Sequence, residues 1–205
     1  IHALSRRGGH DLHAAPGNPG IASICECHPV MADDIRGLVD LASRLGADLV
    51  VPGPEAPLVA GIADALDASG MPCFGPSAAC ARLEGSKWYA KELMASAGVP
   101  TAPGLLCTTP GEVRSATGGS WDGWVLKDDG LAAGKGVFLP DGEAGASDAL
   151  GRLFPGGRGR VVVEKRLRGC EVSIMALCSG VEALVLPPSR DHKRAYDGDR
   201  GPNTG

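Results

Sequence analysis

Apolar positions in this chain recur in two rhythms. Over residues 33–45, Ile35, Leu38, Val39, Leu41, Ala42 and Leu45 fall at helical spacing. That predicts a helix capped by Asp33 and stopped by Gly46. The same reasoning predicts helices over 58–69 and over 86–97, the latter carrying Lys87 and Lys91 and ended by Gly98-Val99-Pro100. Short unbroken apolar runs bounded by glycine and proline read as strands at 11–15, 23–27, 47–51 and 71–74. Beyond Pro100 the pattern gives a strand near Leu105, a helix over 110–116 and a helix over 143–154. A strand over 160–167 bears Glu164, and runs at 171–179 and 181–186 pair through Ser179-Gly180 as a hairpin. No internal repeat interrupts this order.

Strand–helix alternation with short apolar strands predicts an open parallel sheet in the first hundred residues. The expected fold class is α/β, with a Rossmann-like parallel-sheet domain over 1–98 and an α+β domain over 99–205. Ligands of open parallel sheets bind beyond the carboxyl ends of strands, where Gly53, Pro54 and Glu55 fall. Glu55 facing a ligand and a plain structural turn both fit, because Gly-Pro punctuates loops of every kind.

The most informative stretch is WVLKDDGLAAGKGVFL, residues 124–139. Glycines let a backbone approach a ligand closely, and free backbone N–H groups beside a lysine suit phosphate. It is not a Walker A loop, which needs G-x-x-x-x-G-K-[ST] ahead of a helix. Here Gly130-x-x-x-Gly134-Lys135 is followed by Gly136, then by the strand-like Val137-Phe138-Leu139 and Pro140. Strand, glycine loop, strand predicts a hairpin whose tip closes over phosphates; a flexible turn with an incidental lysine is the plainer alternative. Lys127, Lys87, Glu164 and Glu171 each read alone as solvated side chains. One reading makes Glu164 and Glu171 cohere: a hinge strand whose backbone and first carboxylate hold adenine, with the second carboxylate on ribose hydroxyls.

Composition removes other classes. The 205 residues carry a net charge of −4, against a nucleic-acid binder relying on a broad basic surface. Three Trp, three Phe and two Tyr make no evident base-stacking platform. Seven cysteines include no C-x-x-C pair; Cys25, Cys27 and His28 cluster, but a zinc site there lacks its distant second pair. They read as packing thiols in a reducing cytoplasm. No apolar run reaches the length of a membrane span. The first residue is not methionine and the last residues form a turn-like PNTG, so a fragment is expected.

The motifs GPEAPL (53–58), FGPSAACARLEGSK (74–87), DGLAAGKGV (129–137), DHKR (191–194) and GPNTG (201–205) together resemble those of the phosphoribosylamine–glycine ligase family of the ATP-grasp superfamily. The resemblance covers most of the chain from Pro16 onward. It implies a Rossmann-like domain lacking its first strand and glycine loop, followed by a partial ATP-grasp domain truncated at its C-terminal end. It implies that Lys87 and Lys127 contact ATP phosphates under a flap of Gly130, Leu131, Ala132, Ala133, Gly134, Lys135 and Gly136, with Lys127 and Lys135 catalytic. Glu164 and the Leu167 backbone would take adenine, and Glu171 the ribose. Gly53, Pro54, Glu55, Asp191, Lys193, Asn203, Thr204 and Gly205 would approach glycine and 5-phosphoribosylamine.

The implied reaction passes through glycyl phosphate, with Mg2+ (or Mn2+) held by ligands beyond Gly205, so this stretch alone would be inactive. His192 reads as a positioning or structural residue. The implied protein is a cytoplasmic monomer acting on small molecules, with neither nucleic acid nor membrane as partner. Asp128 stands where the family has alanine, and Lys165 and Arg166 replace a glutamate and a phenylalanine of the hinge. A carboxylate at 128 repels ATP unless it points away or pairs with a lysine. Another ATP-grasp ligase or carboxylase subunit, and a non-catalytic nucleotide-binding module, are the competing readings.

Overall fold

In the computed structural model, which describes residues 1–132, 134–190, 194–198 and 200–203, the chain forms two compact units. The first comprises Ile1–Pro100 with Asp129–Leu131, and the second Thr101–Asp128 with 132–205.

The first unit runs α1 (His2–Arg7), β1 (His13–Ala14), α2 (Pro19–Ala22), β2 (Glu26–Cys27), α3 (Ile35–Leu45), α4 (Glu55–Val59), α5 (Ile62–Ala68), α6 (Ala78–Gly85) and α7 (Lys87–Ser96). Strands β1 and β2 pair in parallel, and a second parallel bridge joins Val50 to Cys73. The parallel arrangement is the expected one, but the 47–51 and 71–74 ladders contract to this one bridge. The reason lies in the alternation. Val50 and Cys73 pack against Ala42, Ile62 and Leu66, while Leu49 and Val51 are more than half exposed. Leu66 is 1% exposed, and burial of such a side chain contributes roughly 1.5–3 kcal/mol.

Helix α3 falls where its periodicity put it, with its cap moved by one residue. Asp34, not Asp33, accepts the Gly37 N–H, at 2.9 Å. The single helix expected over 58–69 is two. The break falls at Gly61, whose φ of +93° is left-handed and open to glycine at little cost. Helix α6 had no periodic signal to announce it. Its small residues present only Ala81 to the core, and Ser77 caps it by accepting the Cys80 N–H.

The second unit contains β3 (Gly104–Cys107), α8 (Pro110–Thr117), β4 (Trp124–Asp128), β5 (Val137–Phe138), α9 (Glu143–Leu153) and β6 (Val161–Lys165). They are followed by β7 (Ala176–Ser179), β8 (Glu182–Val185), β9 (Arg194–Tyr196) and β10 (Arg200–Asn203). Four strands form an antiparallel sheet in the order β3-β6-β4-β5. One face, with Leu126, Val161 and Val163, packs on Val113 of α8, on Ala146, Ala149, Leu150 and Leu153 of α9, and on Trp121 and Phe154. The expected hairpin of β4 and β5 is present, with Lys127 opposite Val137, as is the β7–β8 hairpin turning at Ser179-Gly180. Strand β6 ends two residues earlier than expected, where Arg166 turns its N–H to the Gly123 carbonyl.

Candidate functional site

In the first unit the chemistry gathers at the start of α7. Ser86 caps the helix, its hydroxyl accepting the Tyr89 N–H at 3.1 Å and donating to Asp129 at 3.1 Å. The same carboxylate accepts the Trp88 N–H at 2.7 Å and is 4% exposed. A buried carboxylate here satisfies an otherwise unpaired helix N–H and lies against the positive end of the helix dipole. Lys87 donates from Nζ to the Gly130 carbonyl at 2.9 Å. An ammonium carries three protons, so two remain for a further acceptor. The start of the glycine loop is thus fastened to the α7 terminus by Ser86 and Asp129. Neither was singled out from sequence, although Ser three residues ahead of Tyr89 is a capping signal and Asp129 sits inside the quoted motif.

In the second unit the site follows from strand register. Leu126 is paired with Val163, so Lys127 falls opposite Val162, and Glu164 is its diagonal neighbour on the same face. Their side chains form an ion pair, with Glu164 buried and Lys127 partly so. Val125 and Val162 flank the pair, both buried, on the face away from α8 and α9. Gly104 lies opposite Glu164 on β3, and a Cβ there would come within 2.8 Å of the Val163 carbonyl and 3.0 Å of the Glu164 Cβ. Only a glycine lets β3 approach Glu164 so closely.

The same alternation answers the question posed by Asp128. It lies on the face of Leu126, opposite to Lys127, and its N–H continues the hairpin to the Gly136 carbonyl at 2.8 Å. Lys165 faces Trp124 across the ladder and sets its ammonium 3.5 Å from the ring centroid.

Other candidate residues are more dispersed. In the glycine loop, Lys135 donates its backbone N–H to the Ala132 carbonyl at 2.8 Å, Gly134 sits at φ +78°, and the Lys135 side chain is exposed. Leu131 is exposed, and Ala133 lies outside the described residues. Leu167 and Glu171 follow the end of β6, both exposed, Leu167 at 73%. Gly53 and Pro54 are exposed, and Glu55 opens α4, where a first-turn carboxylate favours the helix regardless of any ligand. Asp191, His192, Lys193, Thr204 and Gly205 lie outside the described residues, and Asn203 ends β10.

Among the described residues, the His, Cys, Asp and Glu side chains that converge closely enough to hold an ion are His13, Glu26 and His28, whereas magnesium takes oxygen donors.

Two models of one enzyme family match the chain in succession. The N domain of phosphoribosylglycinamide synthetase matches residues 2–84, and the ATP-grasp (A) domain of the same enzyme matches residues 85–205. A curated phosphoribosylamine–glycine ligase of Streptomyces coelicolor is 53% identical across 100% of this chain and 49% of its own length. That of Corynebacterium ammoniagenes is 45% identical over 95% of this chain and 47% of its own. The crystal structure of phosphoribosylamine–glycine ligase from Thermotoga maritima superposes with a TM-score of 0.76 at 34% identity, over 98% of this chain and 49% of that one. An N5-carboxyaminoimidazole ribonucleotide synthetase, solved as its ADP complex, superposes at 0.73 with 20% identity, over 97% of this chain and 52% of that one, and shares the fold. The chain spans about half the length of the curated relatives it matches.

Proposed function

The chain belongs to the phosphoribosylglycinamide synthetase family, and from that premise we propose that the complete protein joins glycine to 5-phosphoribosylamine using ATP. The products are glycinamide ribonucleotide, ADP and phosphate. The observation that carries the reading is the Lys127–Glu164 pair on the sheet face away from α8 and α9, on a strand that runs straight into DGLAAGKGV.

In the proposed site Lys127 exchanges Glu164 for phosphate oxygen, and Glu164 accepts from the adenine amino group. Lys87 supplies a second ammonium, and the flap from Gly130 to Gly136 covers the phosphates with Lys135. The exposed Leu167 offers its backbone and an apolar contact to the base, and Glu171 takes the ribose hydroxyls. Gly53 to Glu55, Asp191, Lys193, Asn203, Thr204 and Gly205 receive glycine and the ribosylamine.

A glycine carboxylate oxygen attacks the γ-phosphorus, and the bond to the bridging oxygen breaks as ADP leaves. The amine of phosphoribosylamine then attacks the acyl carbon of glycyl phosphate, inorganic phosphate departs, and the amine proton passes to solvent. Such a route asks the protein for charge neutralisation and alignment rather than a nucleophile. Lysines and backbone amides suit that demand. No step is assigned to a metal held by the described residues.

Among the described residues no helix is long and apolar enough to cross a membrane, and all seven cysteines are free thiols, in keeping with a proposed cytoplasmic protein. The test is isotopic. Glycine labelled with 18O in its carboxylate should deliver one label to inorganic phosphate during turnover by the complete protein; unlabelled phosphate would remove the acyl phosphate from the mechanism.

A further inference from the structure

Away from the sheet that bears Lys127, strands β1 and β2 bring a second set of chemical groups together. Their parallel register sets His13 opposite Glu26, and the His28 N–H donates to the Ala14 carbonyl at 2.8 Å, so the ladder runs one residue past β2. Alternation then puts Glu26 and His28 on the face of His13 and sends Cys25 and Cys27 to the other. Sequence proximity had grouped Cys25, Cys27 and His28; the fold divides that group. Cys27 is committed to packing. Its Sγ fills the space where a Cβ on Gly17 would lie only 2.3 Å away, and Gly17 at φ +76° allows the close approach.

We propose that His13, Glu26 and His28 form a binding site for a divalent transition-metal ion of the zinc class. His13 Nδ1 and His28 Nε2 face each other at 3.0 Å, and a Glu26 oxygen lies 3.8 Å from His13 Nδ1. All three donor atoms fall within 4.8 Å of one another. A tetrahedral ion with bonds of about 2.0–2.1 Å separates its donors by roughly 3.3 Å, so small side-chain movements suffice.

Two imidazole nitrogens this close need something positive between them. A single proton meets that need as a hydrogen bond, and a metal ion meets it while also engaging the carboxylate. Two nitrogens and one carboxylate select zinc, copper or nickel over magnesium and calcium. Asp11 stands 3.7 Å from the outward Nε2 of His13, on the side from which a carboxylate holds the Nε2 proton and leaves Nδ1 to the metal. Both imidazoles are half-buried and Glu26 is exposed, so water completes the coordination. The ion clamps the register of this two-residue ladder.

The experiment uses the complete protein without a polyhistidine tag, with Co2+ as spectroscopic probe and Zn2+ as competitor. The expected result is one equivalent of Co2+ with the intense visible bands of a tetrahedral nitrogen–oxygen site, displaced by Zn2+. Glu26→Gln, an exposed change that leaves the fold intact, should weaken affinity at least about tenfold, and His13→Gln and His28→Gln further. Zn2+ should raise the melting temperature of the parent and not of the His28→Gln variant, whose metal-free melting should match the parent's. Equal affinity in Glu26→Gln and the parent, no saturable binding at micromolar Zn2+, or a thiolate-to-cobalt charge-transfer band that vanishes in Cys27→Ser would each overturn the proposal.

Discussion

Lys127 owes its position to one step of strand alternation, which sends Leu126 into the core and Lys127 to the face of Glu164. The two partners are unequally buried, with side-chain exposures of 29% for Lys127 and 10% for Glu164. Removing Lys127 takes the ion-pair partner from the more buried of the two charges, so Lys127→Met should cost about 1–3 kcal/mol of stability. Glu164→Gln leaves an ammonium that water can reach and should cost less than about 1 kcal/mol. Urea unfolding of the two variants measures the asymmetry, and equal losses would contradict the account of the pair. In the complete protein Lys127→Ala should also weaken ATP binding strongly by calorimetry; unchanged affinity would take Lys127 out of the proposed site. Lysine and glutamate were legible as nucleotide-binding residues from sequence only through the family resemblance that the glycine loop and the distant motifs carry together. The roles of Ser86 and Asp129 were not legible, because a capping carboxylate 43 residues from its serine leaves no local pattern.

At the scale of elements, α8 and α9 are tied through Glu143, which accepts from Trp121 Nε1 at 2.9 Å and from Arg114 at 2.5 Å. The Trp121 hydrogen bond, followed by that of Arg114, holds the Glu143 carboxyl below its usual value. A group whose folded value is depressed contributes stability above its unfolded value and loses that contribution as pH falls through the folded one. Glu143→Gln should therefore flatten the decline of the urea midpoint below about pH 5. A decline as steep as the parent's would show the tie to be without effect. Strand β3 makes a separate demand. Gly104→Ala drives a Cβ against the Val163 carbonyl and should cost about 1–3 kcal/mol by overpacking, read in the same unfolding assay. Elements with one strong period, α3 and the β4–β5 hairpin, were legible from sequence. The α4–α5 break depended on the backbone at Gly61, and α6 on small residues without a period, so neither showed in the apolar pattern.

At the scale of the molecule, the family matches run over 2–84 and 85–205, and the relatives are about twice as long as the chain. The fold class and the family were legible because GPEAPL, DGLAAGKGV, DHKR and GPNTG are specific together, although each is weak alone. The acceptor side of the proposed site was legible only as motif, since Asp191, Lys193, Thr204 and Gly205 lie outside the described residues. What the ATP is for is therefore the claim that most needs a measurement on the complete protein. ADP release should require glycine and 5-phosphoribosylamine together, with either omitted substrate reducing it to background. Release driven equally well by bicarbonate or by another carboxylic acid would contradict the assignment and leave only the nucleotide fold.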